Sequence, residues 1–191
     1  MNKKGKGRLI VVSAPSGAGK TTVVKDALER LDDIAMSVSW TTRKPREGEI
    51  DGKDYRFVTR KSFEDGIRNG NFIEWASVFD EYYGTPSSNL AEAKKSGLDL
   101  FLVIDVQGGA QIKEKVKGST LIFLMPPSMD DLRIRLLRRG KDDREHIEKR
   151  LKEAKREIDS AKNYDFRIVN DDLEKAVDEL VKAVICIRES E

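Results

Sequence analysis

Apolar residues arrive along this chain in short blocks set apart by densely charged stretches. Residues 8–13 form an apolar, β-branched run, which predicts a buried strand, and a turn rich in Gly, Ser and Pro follows it. Val23, Val24, Ala27, Leu28 and Leu31 then recur at helical spacing, which predicts a helix over 22–31. A second short strand is expected at 34–39. Nearly continuous apolar runs at 98–104, 121–125 and 166–169 predict further buried strands. Helical patterns at 111–116, 130–139, 145–162 and 173–188 alternate with them. Strand, helix and strand in this rhythm imply an α/β fold of three layers around a central parallel sheet.

The middle of the chain breaks the rhythm. Residues 41–52 are polar, carry Pro45, Gly48 and Gly52, and cluster Arg43, Lys44 and Arg46. A strand is expected at 55–58, a helix at 61–68, a turn at 69–71, and strands at 72–79 and 82–84. This block predicts a small, mainly antiparallel insertion. Residues 140–144 form a charged turn ahead of a long charged helix.

Composition narrows the function classes. Among 191 residues, 37% are charged but the net charge is only +2, so there is no global case for a nucleic-acid or membrane partner. The charge density suggests a heat-adapted source. No apolar stretch approaches the roughly 20 residues that span a bilayer, and basic residues 1–7 lack the apolar segment of a signal peptide after them. A cytoplasmic protein is expected. The single cysteine, Cys186, lies in the apolar run 183–187 and reads as a buried structural thiol. The single histidine, His146, lies in the charged helix and reads as a bystander.

The turn after the first strand carries the sharpest motif. A phosphate-binding loop has Gly, four residues, then Gly-Lys-Ser/Thr between a strand and a helix. Here Ala14, Pro15, Ser16, Gly17, Ala18, Gly19, Lys20 and Thr21 follow it except at the first position, where alanine replaces glycine. Gly17 and Gly19 let backbone N–H groups turn inward around phosphate oxygens, and the helix N-terminus points its positive end at the same place. Lys20 would reach the β- and γ-phosphates, and the Thr21 hydroxyl would meet Mg²⁺. Thr22 completes the loop. This motif names a nucleoside triphosphate and leaves the phosphate acceptor open.

Acceptor chemistry has to come from the middle block. Arg43 and Arg46 could hold a phosphate dianion, since arginine presents paired donors; on their own they read as well as a solubilising cluster. Glu74 could accept from the N1–H and amino group of a guanine, a donor pair that adenine lacks. On alternation alone, however, Glu74 between Ile73 and Trp75 reads as a surface charge on an edge strand. Asp105, at a strand end, could equally cap the turn that follows.

Several long motifs in order decide among these readings. Ser37-Val38-Ser39-Trp40-Thr41-Thr42-Arg43-Lys44-Pro45-Arg46, Gly52-Lys53-Asp54-Tyr55, Phe72-Ile73-Glu74-Trp75, Tyr82-Tyr83-Gly84-Thr85, Ile104-Asp105-Val106-Gln107-Gly108 and Ile168-Val169-Asn170-Asp171-Asp172, together with the loop, resemble the guanylate kinase family over nearly the whole chain. The resemblance implies transfer of the γ-phosphate of ATP to GMP, with dGMP as a further acceptor and Mg²⁺ as cofactor. It implies a core (1–36, 89–134 and 160–191), a GMP-binding region (37–88) and a lid (135–159). It implies that Ser39, Arg43, Arg46, Tyr55, Glu74, Tyr83, Gly84, Thr85, Asp105 and Arg150 serve GMP. Residues 14–22 with Arg135, Arg139, Asn170 and Asp171 would serve ATP, and Lys20, Arg43, Arg139 and Arg150 would act in catalysis. Family members often carry an acid two residues before the one matching Asp105; here that position is Val103. Another phosphate-loop kinase, acting on AMP, dTMP or a metabolite, is the alternative enzyme. A non-catalytic binding module is the alternative of another class, although such modules tend to lose the loop lysine that is present here. Monomer and homodimer both stay open.

Overall fold

The computed structural model describes residues 7–138 and 144–190. Five parallel strands form the central sheet in the order β2-β7-β1-β8-β9: β1 (Leu9–Ser13), β2 (Ile34–Met36), β7 (Asp99–Val103), β8 (Thr120–Met125) and β9 (Phe166–Val169). β1 lies at the centre and is buried at all five residues, which is why its sequence is continuously apolar instead of alternating. Val12 stands opposite Val103 on one side and Ile122 on the other, so three strand ends reach the same rim.

Helices cover both faces. Val23, Val24 and Ala27 of α1 (Lys20–Leu28) and Val177, Leu180 and Val184 of α7 (Leu173–Glu189) pack on one face with Ile10, Val12 and Ile122. Leu9, Val11, Leu102 and Phe123 point to the other face, against Ala93 of α3 (Ser87–Ser96) and Ile112 of α4 (Val106–Lys115). α5 (Met129–Arg138) and α6 (Arg144–Ser160) form a third cluster through Leu132, Leu136, Ile147, Leu151 and Ala154.

The insertion is a four-stranded mixed sheet in the order β4-β3-β6-β5: β3 (Trp40–Thr41), β4 (Arg56–Phe57), β5 (Phe72–Val78) and β6 (Glu81–Pro86), with α2 (Arg60–Arg68) against it. Its core is aromatic. Phe63 is fully buried and stacks on Phe72 at 4.5 Å and on Tyr82 at 5.3 Å, while Trp40 meets Phe72 edge-on at 5.5 Å. Trp40 is thus a packing residue of this small sheet.

Several expectations need correction. α3 went unpredicted, because its segment carries only Leu90, Ala91 and Ala93 as apolar residues. α4 begins at Val106, five residues earlier than its apolar pattern, because Asp105 caps it. β2 ends at Met36, after which the chain leaves the sheet. Cys186 is exposed on α7, so the buried-thiol reading is wrong; the buried face of that helix runs through Ala183, Val184 and Arg188 instead. Arg139 and residues 140–143 of the expected lid tip lie outside the described residues.

Candidate active site

The loop leaves the buried end of β1 and enters α1 at Lys20. Gly17 and Gly19 have left-handed backbone, with φ of 97° and 87°, which a side chain would resist. Ala14 is not among the described residues with positive φ, and it is buried within the core cluster at 4% exposure. That is why alanine stands where the general motif has glycine. The Ala18 carbonyl accepts from Asn170 Nδ2 at 2.7 Å and from Arg135 Nη1 at 3.4 Å, while Arg135 Nη2 donates to the Asn170 carbonyl at 2.9 Å. Arg135 and Asn170 therefore hold the loop from behind. Asp171 is exposed and accepts from the Asp172 N–H.

Lys20 donates from Nζ to the Ile104 carbonyl at 3.2 Å. Burial lowers its pKa, and the negative charges of Asp105 and Glu157 act against that loss. Asp105 itself accepts at Oδ1 from the N–H groups of Gln107 (2.7 Å) and Gly108 (2.9 Å). It is both the cap of α4 and a wall residue of the cleft, so its two sequence readings coexist.

A cavity of about 650 Å³ opens in front of Lys20. Residues 14–17, Gly19, Thr21 and Thr22 line its loop side; Ser39, Arg46, Tyr55, Glu74, Tyr83 and Gly84 line the insertion side. Val103 contributes an apolar wall at the position where an acid is often found. Glu74 and Thr85 are neighbours in the β5–β6 pairing, 2% and 1% exposed, and the Thr85 hydroxyl donates to Glu74 Oε1 at 2.6 Å. Ser39 Oγ stands 3.4 Å from Thr85 Oγ1. Burial, against the opposing Thr85 hydrogen bond, pushes the Glu74 carboxyl up to about 7. Glu74 is thus no surface charge. The bulge between Phe72 and Glu74 interrupts the alternation on which that reading rested.

Arg43 is half-buried against Tyr55 and Phe57, its guanidinium 5.4 and 5.8 Å from their ring centres. It pairs with Glu49 and does not itself line the cavity, whereas Arg46 does. On the far side, α6 presents Arg150, Glu153 and Glu157 along one face. Arg150 Nη1 donates to Ser16 Oγ at 2.9 Å and its guanidinium lies 5.5 Å from the Phe79 ring centre, so it joins the loop to the tip of the β5–β6 hairpin. Phe79 and Asp80 at that tip have φ of 50° and 64°, as a tight two-residue turn requires.

Glu157 went unnoticed in the sequence because it sits in a helix that is charged almost throughout. Burial raises its pKa to about 7, with Lys20 opposing the rise and Asp105 adding to it. A signal did exist. Ile147, Leu151 and Ala154 form an apolar stripe that turns 150, 153 and 157 toward the cleft at helical spacing.

Among the described residues no group of three or more His, Cys, Asp or Glu is placed to hold a metal ion by itself. Thr21 offers a hydroxyl beside Lys20 at the cavity wall. That donor set fits a hard cation carried mostly by substrate phosphates and water.

The chain is similar to known proteins over almost its whole length. The family model described as guanylate kinase matches residues 6–186. The chain is 44% identical to a guanylate kinase of Caldanaerobacter subterraneus subsp. tengcongensis over 185 residues, 97% of this chain and 89% of that protein. It is 44% identical to a guanylate kinase of a Wolbachia from Brugia malayi over 181 residues, 94% of this chain and 93% of that protein. The crystal structure of guanylate kinase from Anaplasma phagocytophilum superposes with a TM-score of 0.81 at 39% identity, covering 98% of this chain and 89% of that one.

Proposed function

The chain belongs to the guanylate kinase family, and from that premise we propose how its cleft moves the γ-phosphoryl group of ATP to GMP. One observation carries the reading: a phosphate loop with its lysine and the buried Glu74, anchored by Thr85, line the same cavity. The first recognises a triphosphate, the second a guanine.

On the acceptor side, ionised Glu74 takes the guanine N1–H and amino group, and Thr85 and Ser39 fix its orientation. AMP leaves that carboxylate unpaired in a buried place, which costs a large factor in binding. Arg43, Arg46, Tyr55 and Tyr83 hold the acceptor phosphate. Its second pKa is near 6, so the attacking oxygen is already ionised near neutrality and needs no protein base. Catalysis is then alignment and charge compensation. On the donor side, the 14–22 backbone cradles the phosphates, and Lys20 follows the charge on the transferring group. Arg135 and Asn170 keep the loop in shape, and Arg150, already on Ser16, is placed to reach the phosphates. Thr21 would hold Mg²⁺, which would supply charge neutralisation to the donor phosphates.

In this reading residues 37–88 are the acceptor region, 135–159 the lid, and the remainder the core. The lid and acceptor region close on the core once both nucleotides are bound, which keeps water from the γ-phosphate. We place the enzyme in the cytoplasm, where both substrates are available. A coupled assay with GMP, dGMP, AMP and UMP tests the function: GMP should be the best acceptor, with dGMP next. Faster transfer to AMP or UMP than to GMP would sink it.

A further inference from the structure

The Arg43–Glu49 pair has a geometry that the acceptor chemistry does not by itself require. Arg43 Nη1 and Nη2 donate to the two carboxylate oxygens of Glu49 at 2.9 and 2.8 Å, and Nη1 also donates to the Lys44 carbonyl at 2.7 Å. A guanidinium has five N–H groups. These contacts occupy three, which leaves one on Nη2 and the Nε–H for other partners, Tyr83 among them. Tyr83, a wall residue of the cleft, lies within electrostatic reach of that guanidinium, and Tyr55 lies beneath it.

Glu49 is itself held. Its Oε2 also accepts the Arg46 N–H at 2.7 Å, and its own N–H donates to the Arg46 carbonyl at 3.1 Å, closing a four-residue turn. Gly48 gives that turn its left-handed residue, with φ of 83°. The two side chains are 14% and 19% exposed, so the pair is largely shielded from water. The Arg43 hydrogen bond holds the Glu49 carboxyl below its usual range, so it stays ionised at neutral pH.

We propose that Glu49 is the positioning residue of the acceptor-phosphate site, gripping Arg43 by its outer fork while the Arg46 main chain fixes Glu49 in turn. Its contribution is geometric. Glu49 cancels the charge of Arg43, so Arg43 acts as an oriented hydrogen-bond donor and Arg46, which faces the cavity, supplies the net positive charge. The opposite reading is that the carboxylate merely occupies Arg43 until a phosphate displaces it. That would break two charge-assisted bonds in a pair largely shielded from water, while the Arg46 N–H still holds the carboxylate beside Arg43.

The inference rests on the cleft being the GMP site, and the test separates the two. Binding of GMP and of guanosine to the wild-type protein, Glu49→Gln and Glu49→Asp would be measured by calorimetry, beside steady-state kinetics. Glu49→Gln should weaken GMP binding about 10- to 100-fold, the size of a lost charge-assisted hydrogen bond, and leave guanosine, which lacks the phosphate, within about twofold. KM for GMP should rise while KM for ATP holds. Glu49→Asp, which keeps the charge on a shorter stem, should recover part of the loss. GMP binding as tight as, or tighter than, wild type in Glu49→Gln would overturn the proposal, and so would an equal loss of guanosine, which would mark a purely structural turn. If the wild-type protein failed to phosphorylate GMP, the functional reading itself would fall.

Discussion

Thr85 donates its hydroxyl to Glu74 at 2.6 Å, so the carboxylate we propose as the reader of the acceptor base is anchored by a side chain directly opposite it in the sheet. The anchor orients Glu74, but it does not offset the cost of burying the charge, and the carboxyl titrates near 7 instead of 4.5.

This has two pH consequences of opposite sense. A carboxyl with a folded pKa above its unfolded value stabilises the fold fully below the unfolded pKa and loses that stabilisation as pH rises through the folded pKa. The ligand-free protein should therefore lose stability between about pH 5 and 7, and Glu74→Gln should flatten part of that slope in thermal melts. Binding runs the other way, because only the ionised carboxylate accepts both guanine donors. Guanosine, which has no phosphate to titrate, should bind about tenfold more weakly at pH 6 than at pH 8. A flat profile would refute the assignment of Glu74.

Gly108 offers a way to disturb Glu74 without touching it. A Cβ at Gly108 would collide with Glu74 Oε2. Gly108→Ala should raise KM for GMP by about tenfold or more and leave KM for ATP unchanged. Alanine suits a helix better than glycine by about 1 kcal/mol, so a melting temperature that held while KM rose would exclude general damage.

Lys20→Ala should lower kcat by about a thousandfold, the scale of losing a charge aimed at a transition state. Circular dichroism and melting should remain near wild type, since burial of that ammonium is a cost to the fold. A variant retaining a tenth of the activity would contradict the donor-site reading.

Away from the cleft, Arg188 Nε donates to Asp99 at 2.8 Å with both side chains buried, and Arg188 Nη2 donates to the Asp32 carbonyl at 2.8 Å. Arg188→Met would leave a buried carboxylate short of a partner, at a cost of about 3 kcal/mol. The melting temperature should fall by roughly 10 °C. Asp99→Asn in the same chain should restore part of it.

These residues also mark what the chain made legible. The parallel strands were readable because burial on both faces leaves an unbroken apolar run, and the donor loop because backbone turning requires glycines at set spacing. Glu74 was recoverable only from its neighbours in the Phe72–Trp75 motif, since a bulge spoils the period on which a face assignment rests. Asp99 and Arg188 stood outside any pattern: each is buried through a partner 89 residues away, and pairing at that distance leaves no local trace. Glu157 was hidden in plain charge, since a helix rich in Lys, Arg and Glu gives little sign of which of them face a cleft.

The carbonyl of Ala18 lies close to the N-terminus, yet two of its hydrogen-bond donors, Arg135 and Asn170, come 117 and 152 residues later. Synthesis runs from the N-terminus, so the phosphate loop is made more than 100 residues before the groups that hold its shape. Until residue 170 is made the nascent chain carries the motif without both supports, and chains cut short before it never acquire both. A chain cut just ahead of residue 170 should therefore hold the phosphate loop more loosely than the full sequence, although the whole motif is present in both.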